Sequence, residues 1–372
     1  MNLQADVIVV GGGLHGLSSA LQLARRGAKV CLLEADWIGR HASSSTAAGV
    51  RTLNRDYREL EIALESMQMW HSMEQIVGDN CGFHADGQLS VAETEEGLAK
   101  LAARCAQTEA LGYHHERMLS QTELRALVPA LSPRCVGAIY APNDGAADPH
   151  RTIKAFRASC VAEGVKLLEQ TQVQALMKRG TIWKVTTNRG VFEAPQVINA
   201  AGAWAAALAQ LAGESIPLGH KASMMIVTEK LTPFLPQVIA GFGRNLTFKQ
   251  AAQGGLVIGG GLQGRADVSA KRSWVDYKVL ARAAQAVIDL FPQLGSVQIT
   301  RCWTGIEAKT ADFLPVIDRS TVAEGLWHVF GFSGHGFELV PISGVIMADL
   351  VCDGKTSRNI SALGVRRLLN KD

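Results

Sequence analysis

Gly11, Gly13 and Gly16 form a Gly-x-Gly-x-x-Gly array, and Glu34 stands about 20 residues beyond it. An apolar run, Ala5-Asp6-Val7-Ile8-Val9-Val10, precedes the glycines. An amphipathic stretch follows to Gly27, and Ala28-Lys29-Val30-Cys31-Leu32-Leu33 then ends on Glu34. The order is strand, glycine turn, helix, strand, acid. Gly11 permits the tight turn, Gly13 lets the backbone approach a pyrophosphate, and Gly16 lets helix pack on strand. The helix N-terminus offers unpaired N–H groups and a positive dipole end to phosphates. Glu34 can accept hydrogen bonds from a ribose hydroxyl. The predicted chemistry is dinucleotide binding. The pattern recurs at Gly259-Gly260-Gly261-Leu262-Gln263-Gly264, but Arg265-Ala266-Asp267-Val268 follows, with no apolar helix and no second strand ending in an acid. That copy reads as a strand end and turn.

Elements must hold these residues. Apolar spacing predicts the first crossover helix over 17–26 and another over 56–77, through Leu60, Leu64, Met67, Trp70 and Ile76. Residues 41–49 are small and polar, a loop able to lie against a ligand. A strand over 87–92 precedes a charged helix over 93–112, and Ser120-Gln121-Thr122-Glu123 reads as a capping box. Asp148-Pro149 opens a helix over 150–163. Strands follow at 165–168, 173–177, 182–187 and 196–199, the last entering a second small-residue turn at Ala200-Ala201-Gly202-Ala203-Trp204. Strands at 222–228, 246–249 and 256–260 belong to a second sheet, and 274–291 is helical. The chain returns through 301–317 and 326–332, and Gly334-His335-Gly336-Phe337 leads a helix to about 352. Dinucleotide-type segments thus fall at the start, middle and end. The expected class is α/β: a Rossmann-like domain of 1–80, 145–214 and 301–372, with an α+β substrate domain of 81–144 and 215–300 threaded through it.

Bulk properties exclude several classes. The chain has 372 residues, 47% hydrophobic and 19% charged, enough for two subdomains with sizeable cores. Net charge is +3, too balanced to argue for nucleic acid or an anionic membrane surface. Seven cysteines without a CxxC pair read as reduced thiols of a cytoplasmic protein, with neither disulfides nor a metal cluster. The chain opens close to a buried strand, which leaves no room for a signal peptide. No apolar stretch approaches the ~20 residues of a membrane span.

Taken together, these pieces resemble the D-amino-acid oxidase superfamily of FAD-dependent amine oxidoreductases. Within it they are most similar to the branch of glycine oxidase, sarcosine oxidase and the catalytic subunits of proline and opine dehydrogenases. The resemblance spans the chain. It rests on Gly11–Glu34, the Ser43–Gly49 loop with Arg51 after it, and Asn199-Ala200-Ala201-Gly202-Ala203-Trp204. It also rests on Trp303-Thr304-Gly305-Ile306-Glu307 through Asp312 and Pro315-Val316-Ile317-Asp318, and on Gly331-Phe332-Ser333-Gly334-His335-Gly336-Phe337. It implies FAD in the N-terminal fold, with the isoalloxazine at the interface with a domain carrying an antiparallel sheet. The expected cofactor-binding residues are Gly11, Gly13, Leu14, His15, Gly16, Glu34, Ala35 and Arg40, then Ser43, Ser44, Ser45, Thr46, Ala48, Gly49 and Val50. Val173, Ala200, Ala201, Gly202, Trp204, Gly305, Gly334, His335, Gly336 and Phe337 complete the set.

The resemblance implies hydride transfer from the substrate α-carbon to flavin N5, the cofactor carrying the hard chemistry. The helix after Gly334-His335-Gly336 would then point its N-terminus at the flavin C2 carbonyl, where charge develops. A substrate carboxylate needs a planar cationic fork, and Arg51 and Arg55 are the expected clamps. His220, Lys221, Arg244 and Lys249 are weaker candidates. Two positions depart from the relatives. Glu307 takes the place of an arginine in glycine oxidase, and Glu338 the place of a lysine in monomeric sarcosine oxidase. Either the clamp has moved or the pocket also receives a cationic group. Gly305 stands where thioether-tethered relatives carry cysteine, with Cys302 three residues early, so FAD is expected to be noncovalent. The strand Gly255-Leu256-Val257-Ile258-Gly259 lacks the oxygen-activating lysine of monomeric sarcosine oxidase, which leaves the electron acceptor open.

The expected function is oxidation of a small amino or imino acid, such as sarcosine, iminodiacetate, proline or hydroxyproline, with molecular oxygen or another electron acceptor. The alternative is the catalytic subunit of a multi-subunit dehydrogenase serving an iron–sulfur partner or quinone. A third reading is a non-catalytic FAD scaffold or a flavin module acting on modified tRNA, which the balanced charge disfavours. A homo-oligomer or a flavoprotein partner subunit is the expected assembly.

Overall fold

A computed structural model describes residues 2–369. Its first layer grows from the most apolar short runs. Val7–Val10 and Val30–Leu33 are buried at every position, as strands covered on both faces must be. They sit in a six-stranded sheet ordered Val316–Arg319, Leu326–Phe330, Gln196–Asn199, Val7–Val10, Val30–Leu33, Lys166–Leu168. Neighbouring strands run parallel except at the antiparallel edge strand Val316–Arg319. Helices Leu14–Arg25, Tyr57–Trp70, Pro149–Ala162 and Val340–Asp353 share a core on one face. A four-stranded sheet, including Val173–Arg179 and Ile182–Thr187, covers the other.

The second layer is an eight-stranded sheet: Ile299–Lys309, Gly219–Lys230, Gly255–Gly259, Thr247–Gln250, Val238–Gly241, Gln88–Ala92, Gly137–Ala141, Arg117–Ser120. Every pair is antiparallel except Val238–Gly241 with Gln88–Ala92. Met224, Ile226, Phe248, Leu256 and Leu89 point to one face and bury the helix Tyr277–Leu290. Alternation sends their neighbours to the opposite face, toward the first layer.

Several boundaries differ from the sequence reading. Strand Ile299–Lys309 pairs along Gly219–Lys230, so a domain boundary at 301 would cut through it. The helix expected over 56–77 is two helices, Tyr57–Trp70 and Met73–Val77, with Ser72 outside the helical region at φ −117°. The helix expected directly after Gly334 begins only at Val340. Ser333 and Gly334 take left-handed φ values of 55° and 97°, which no right-handed helix accepts, and Pro341 in the first turn fixes the later start. Gly334-His335-Gly336 is therefore a turn and presents no helix terminus. Strands Gly137–Ala141, Gly190–Ala194 and Val238–Gly241 were not predicted.

Candidate active site

The glycine array lies where the first strand ends. Gly11 takes φ +115°, and a Cβ there would fall 2.3 Å from the Ala200 carbonyl oxygen. A Cβ on Gly16 would fall 2.0 Å from the Gly11 oxygen, so the helix packs directly on the turn. Gly13 differs: a Cβ would meet only Ser43 Oγ, at 3.2 Å, because this residue faces open space. Gly13 is also the N-cap of Leu14–Arg25, without a side-chain cap and with no acid in the first turn. Leu14 N–H donates to Ser43 Oγ across 3.0 Å. This helix end holds no protein anion, the arrangement that receives a phosphate.

A cavity of about 510 Å³ runs from here along Glu34, Ala35, Arg40, Val173, Ala200, Ala201, Gly202 and Trp204. Glu34 accepts from the backbone N–H of Gly12 across 2.6 Å and of Asp36 across 2.7 Å. A carboxylate has about four lone-pair sites, so acceptor capacity remains. Sequence reasoning missed one wall. Lys271, from a hairpin far along the chain, donates to Asp36 across 3.0 Å, and His41 meets the same carboxylate at 3.0 Å. Trp204 Nε1 donates to the Val268 carbonyl across 2.9 Å, so the hairpin closes over the chamber.

Two further cavities continue from the first through shared walls. One of about 140 Å³ is lined by Gly13, Leu14, His15, Ser43, Thr46, Gly334, Gly336 and Phe337. His15 stacks on Phe332 at 3.5 Å and meets Ser343 Oγ at 2.8 Å. Burial drives its imidazole down to about 3, against a Gly336 backbone hydrogen bond, so it stays neutral. The other, of about 310 Å³, is bounded by Ser45, Thr46, Gly49, Gly305 and Phe337, with Arg51, Arg55, Gln88, Lys221, Glu307 and His335 among its hydrogen-bonding side chains. Glu307 and Gly334 stand between the two.

The charged side chains divide into free and engaged groups. Arg51 donates Nη1 to the Leu53 carbonyl and pairs with no carboxylate among the described residues. Burial, then repulsion from Arg55, holds its guanidinium down to about 10, still charged at neutral pH. Asp144 is fully buried and fixes this segment, accepting from Thr52 N–H, Thr52 Oγ and Leu53 N–H at 2.9, 2.6 and 2.9 Å. Arg55 also edges the cavity, but its fork is occupied. It donates to Glu338 across 2.8 Å and to the His335 carbonyl across 3.0 Å, and meets Glu59 at 3.5 Å. His335 Nε2 meets Glu59 at 3.1 Å. Burial lowers the His335 pKa despite Glu59.

The two acids that replace expected cations have different fates. Glu338 does not line the cavity; it is fully buried against Arg55. Glu307 faces the cavity, accepts from Ser223 Oγ and lies 3.9 Å from Lys221 Nζ. Among the weaker cations only Lys221 lines the cavity. His220 is exposed, Arg244 is paired with Glu93 and Asp289, and Lys249 donates to the Ala147 carbonyl across 2.8 Å. Gly16, Ser44, Ala48 and Val50 line none of these cavities. Gly16 and Val50 are packed inside, Ala48 is fully buried, and Ser44 turns back to the carbonyls of Arg40 and His41. A Cβ on Gly305 would fall 2.4 Å from Ser45 Cβ. Cys302 pairs in register with Ile226 and packs with the helix-side core, away from the cavity.

A parallel sheet with a glycine turn, an uncapped helix N-terminus and a long cavity ending against a second sheet define a dinucleotide-dependent enzyme class. The family model for FAD dependent oxidoreductases matches residues 6–350, and the chain belongs to that family. It is 28% identical to the beta chain of sarcosine oxidase from Rhodobacter capsulatus, over 94% of this chain and 85% of that one. It is 25% identical to glycine oxidase of Geobacillus kaustophilus, over 100% of this chain and 99% of that one. Among solved structures, L-proline dehydrogenase from P. horikoshii superposes with a TM-score of 0.91 at 26% identity, covering 99% of this chain and 98% of the other. The protein is an FAD-dependent oxidoreductase.

Proposed function

We propose that this enzyme oxidises the C–N bond of a small amino or imino acid, either an N-substituted glycine such as sarcosine or iminodiacetate, or a cyclic imino acid. The observation that carries the reading is Arg51: a half-buried guanidinium at the cavity wall without a carboxylate partner among the described residues. A buried cation without a counter-ion is costly unless a ligand supplies one. FAD, when bound, supplies the hydride acceptor. Gly11, Gly13, Leu14 and Glu34 would hold its phosphates and ribose, and the Ser333–Phe337 turn its ring end. Arg51 grips the substrate carboxylate, and Asp144 fixes the backbone that presents it. Glu307 orients the substrate nitrogen. The neutral His335 adds no charge beside Arg51. The α-carbon loses hydride, the nitrogen loses a proton as C=N forms, and water adds to give a 2-oxo acid and an amine, which remain joined as one ring-opened amino 2-oxo acid when the substrate is cyclic.

Anaerobic titration of the purified flavoprotein with a panel of amino and imino acids tests this. The expected result is bleaching by at least one member, with a stoichiometric 2-oxo acid. A flavin bleached by alcohols or 2-hydroxy acids but by no amine would sink the reading.

A second reading, the catalytic subunit of a larger dehydrogenase, draws support from one surface. Trp274 and Tyr277 are 51% and 74% exposed, beside Arg265 and Lys278. Trp274 also lines a small cavity that reaches Gly305 and Arg40. Exposed aromatics at such a mouth suit a partner. Turnover with an artificial dye but not with oxygen would favour it. Among the described residues no helix is long and apolar enough to cross a membrane.

A further inference from the structure

The chamber-facing side of the eight-stranded sheet carries a polar side chain that the proposed reaction does not use. Alternation places Lys221, Ser223, Thr247 and Gln88 on this wall. Gln88 is 3% exposed. Its side-chain amide makes no hydrogen bond to another described residue, and Oε1 is a buried acceptor without a donor. Its register partners, Val238 and Ala141, have apolar side chains and offer none. A primary amide has two donors and two acceptor sites, and leaving them unmade in a protein interior is destabilising. A strand flanked by Leu89 and Val91 would bury a leucine here at no such cost. Buried polar groups in folded proteins find partners, and a group that faces a cavity finds its partner in the ligand.

We infer that Gln88 reads a hydroxyl on the carbon skeleton of the substrate, so that the enzyme prefers hydroxylated amino or imino acids to their deoxy counterparts. This rests on the proposal that the chamber takes a small amino or imino acid. A hydroxyl both donates and accepts, so it satisfies either end of the amide, whichever way the amide is turned. A second carboxylate would satisfy only the NH2 group, and an ammonium only the oxygen. Arg51 already answers the substrate carboxylate and Glu307 its nitrogen, which leaves Gln88 for the side chain. A site built around a hydrogen bond rejects the analogue that lacks it, because the protein group stays buried and unpaired.

Two measurements on the flavin-loaded enzyme test this. The first compares kcat/KM for matched pairs, proline against its ring-hydroxylated forms and alanine against serine, in both enantiomers. The wild type should prefer a hydroxylated member by about 10-fold to 100-fold, the size of one buried hydrogen bond. In Gln88→Leu that ratio should collapse to within about threefold of unity. Leucine replaces an unsatisfied group, so the variant should melt no lower than the wild type. The second needs no turnover: Kd values of cyclopentanecarboxylate and its hydroxylated derivative are read from the shift of the flavin absorbance. Neither has a nitrogen to oxidise. The hydroxylated ring should bind more tightly to the wild type and lose that advantage in Gln88→Leu. If this holds while no amine bleaches the flavin, the assignment of Gln88 stands and the reaction proposed above falls. Amines that bleach the flavin without preference, or a preference that survives in Gln88→Leu, overturn the assignment. Silence in both measurements overturns both.

Discussion

Arg55 and Glu338 form an ion pair of 2.8 Å with both side chains essentially buried, directly behind the chamber wall. Ser66 Oγ and Trp70 Nε1 donate to the Glu338 carbonyl across 2.6 and 2.7 Å, which fixes its backbone. Its Oε1 has no partner. Of the two acids Glu307 and Glu338, only Glu307 faces the cavity. Glu338 is held inside the protein beside an arginine that sequence reasoning assigned to substrate.

That pair sets a pH dependence. Burial pushes the Glu338 carboxyl up to about 8, against the pull of Arg55 and with Asp144 and Glu59 adding to the rise. The unfolded carboxyl titrates near ~4.3. Between those values the folded chain binds more protons, so the stability from this group is full below ~4.3 and is lost as pH rises through about 8. Arg55→Met removes the charge that holds the anion. Its melting temperature should lie slightly below wild type at about pH 6 and much further below at about pH 9, where breaking a buried pair approaches ~3–5 kcal/mol. Glu338→Gln should flatten the slope. Melting curves at the two pH values decide it: an equal deficit at both would mean that Glu338 does not titrate in this window.

The glycine array makes a prediction in which folding and binding separate. At Gly13 a side chain meets only Ser43 Oγ, whereas at Gly16 it would strike the Gly11 carbonyl at 2.0 Å. Gly13→Val should therefore fold and lose flavin, and Gly16→Val should fail to fold. Circular dichroism and the flavin-to-protein absorbance ratio read the two effects. A full flavin complement in Gly13→Val would remove the pyrophosphate from this turn.

What the sequence made legible was local. Gly11 to Glu34, the capping box of Ser120 and Glu123, and the Asp148 cap on Arg151 N–H all join residues near one another in the chain. Their physics needs no tertiary partner. Contacts between distant segments were not legible. Lys271 reaching Asp36, Gln88 on the cavity wall and Arg55 spent on Glu338 depend on which strands become neighbours. Val238–Gly241 pairs with Gln88–Ala92 across most of the second sheet's sequence, and no periodicity encodes that choice. The late helix start at Val340 was a local miss: Pro341 signals it, and the glycines drew attention upstream.

The flavin should be held without a covalent bond. Gly305 has no space for a side chain against Ser45, and the Cys302 thiol faces the opposite core. Acid precipitation should release all yellow colour into the supernatant. Flavin fluorescence that stays with the denatured chain on a gel would overturn this.

The strongest wager concerns Arg51. It is charged and half-buried, without a carboxylate partner among the described residues, and Asp144 anchors its segment through three hydrogen bonds. If it grips the substrate carboxylate, Arg51→Ala loses a charge-assisted interaction worth on the order of 2–4 kcal/mol. Misplacement of the substrate by about 1 Å adds to that, because hydride transfer depends on close approach. We expect kcat/KM to fall by roughly 30-fold to 1000-fold, at ~1.4 kcal/mol per decade. Flavin content should not change, since Arg51 lines only the cavity against the second sheet and neither of the two that follow the glycine turn. The melting temperature should hold or rise, because a half-buried cation without a carboxylate partner is removed. Arg51→Lys should recover part of the loss, as an ammonium lacks the planar fork. Steady-state kinetics with whichever acid bleaches the flavin provide the readout. Near-wild-type values in Arg51→Ala would shift the clamp to Lys221, since Arg55, the third cation on the cavity wall, is engaged by Glu338, and the substrate would then have to bind with its carboxylate beside Glu307 and Ser223.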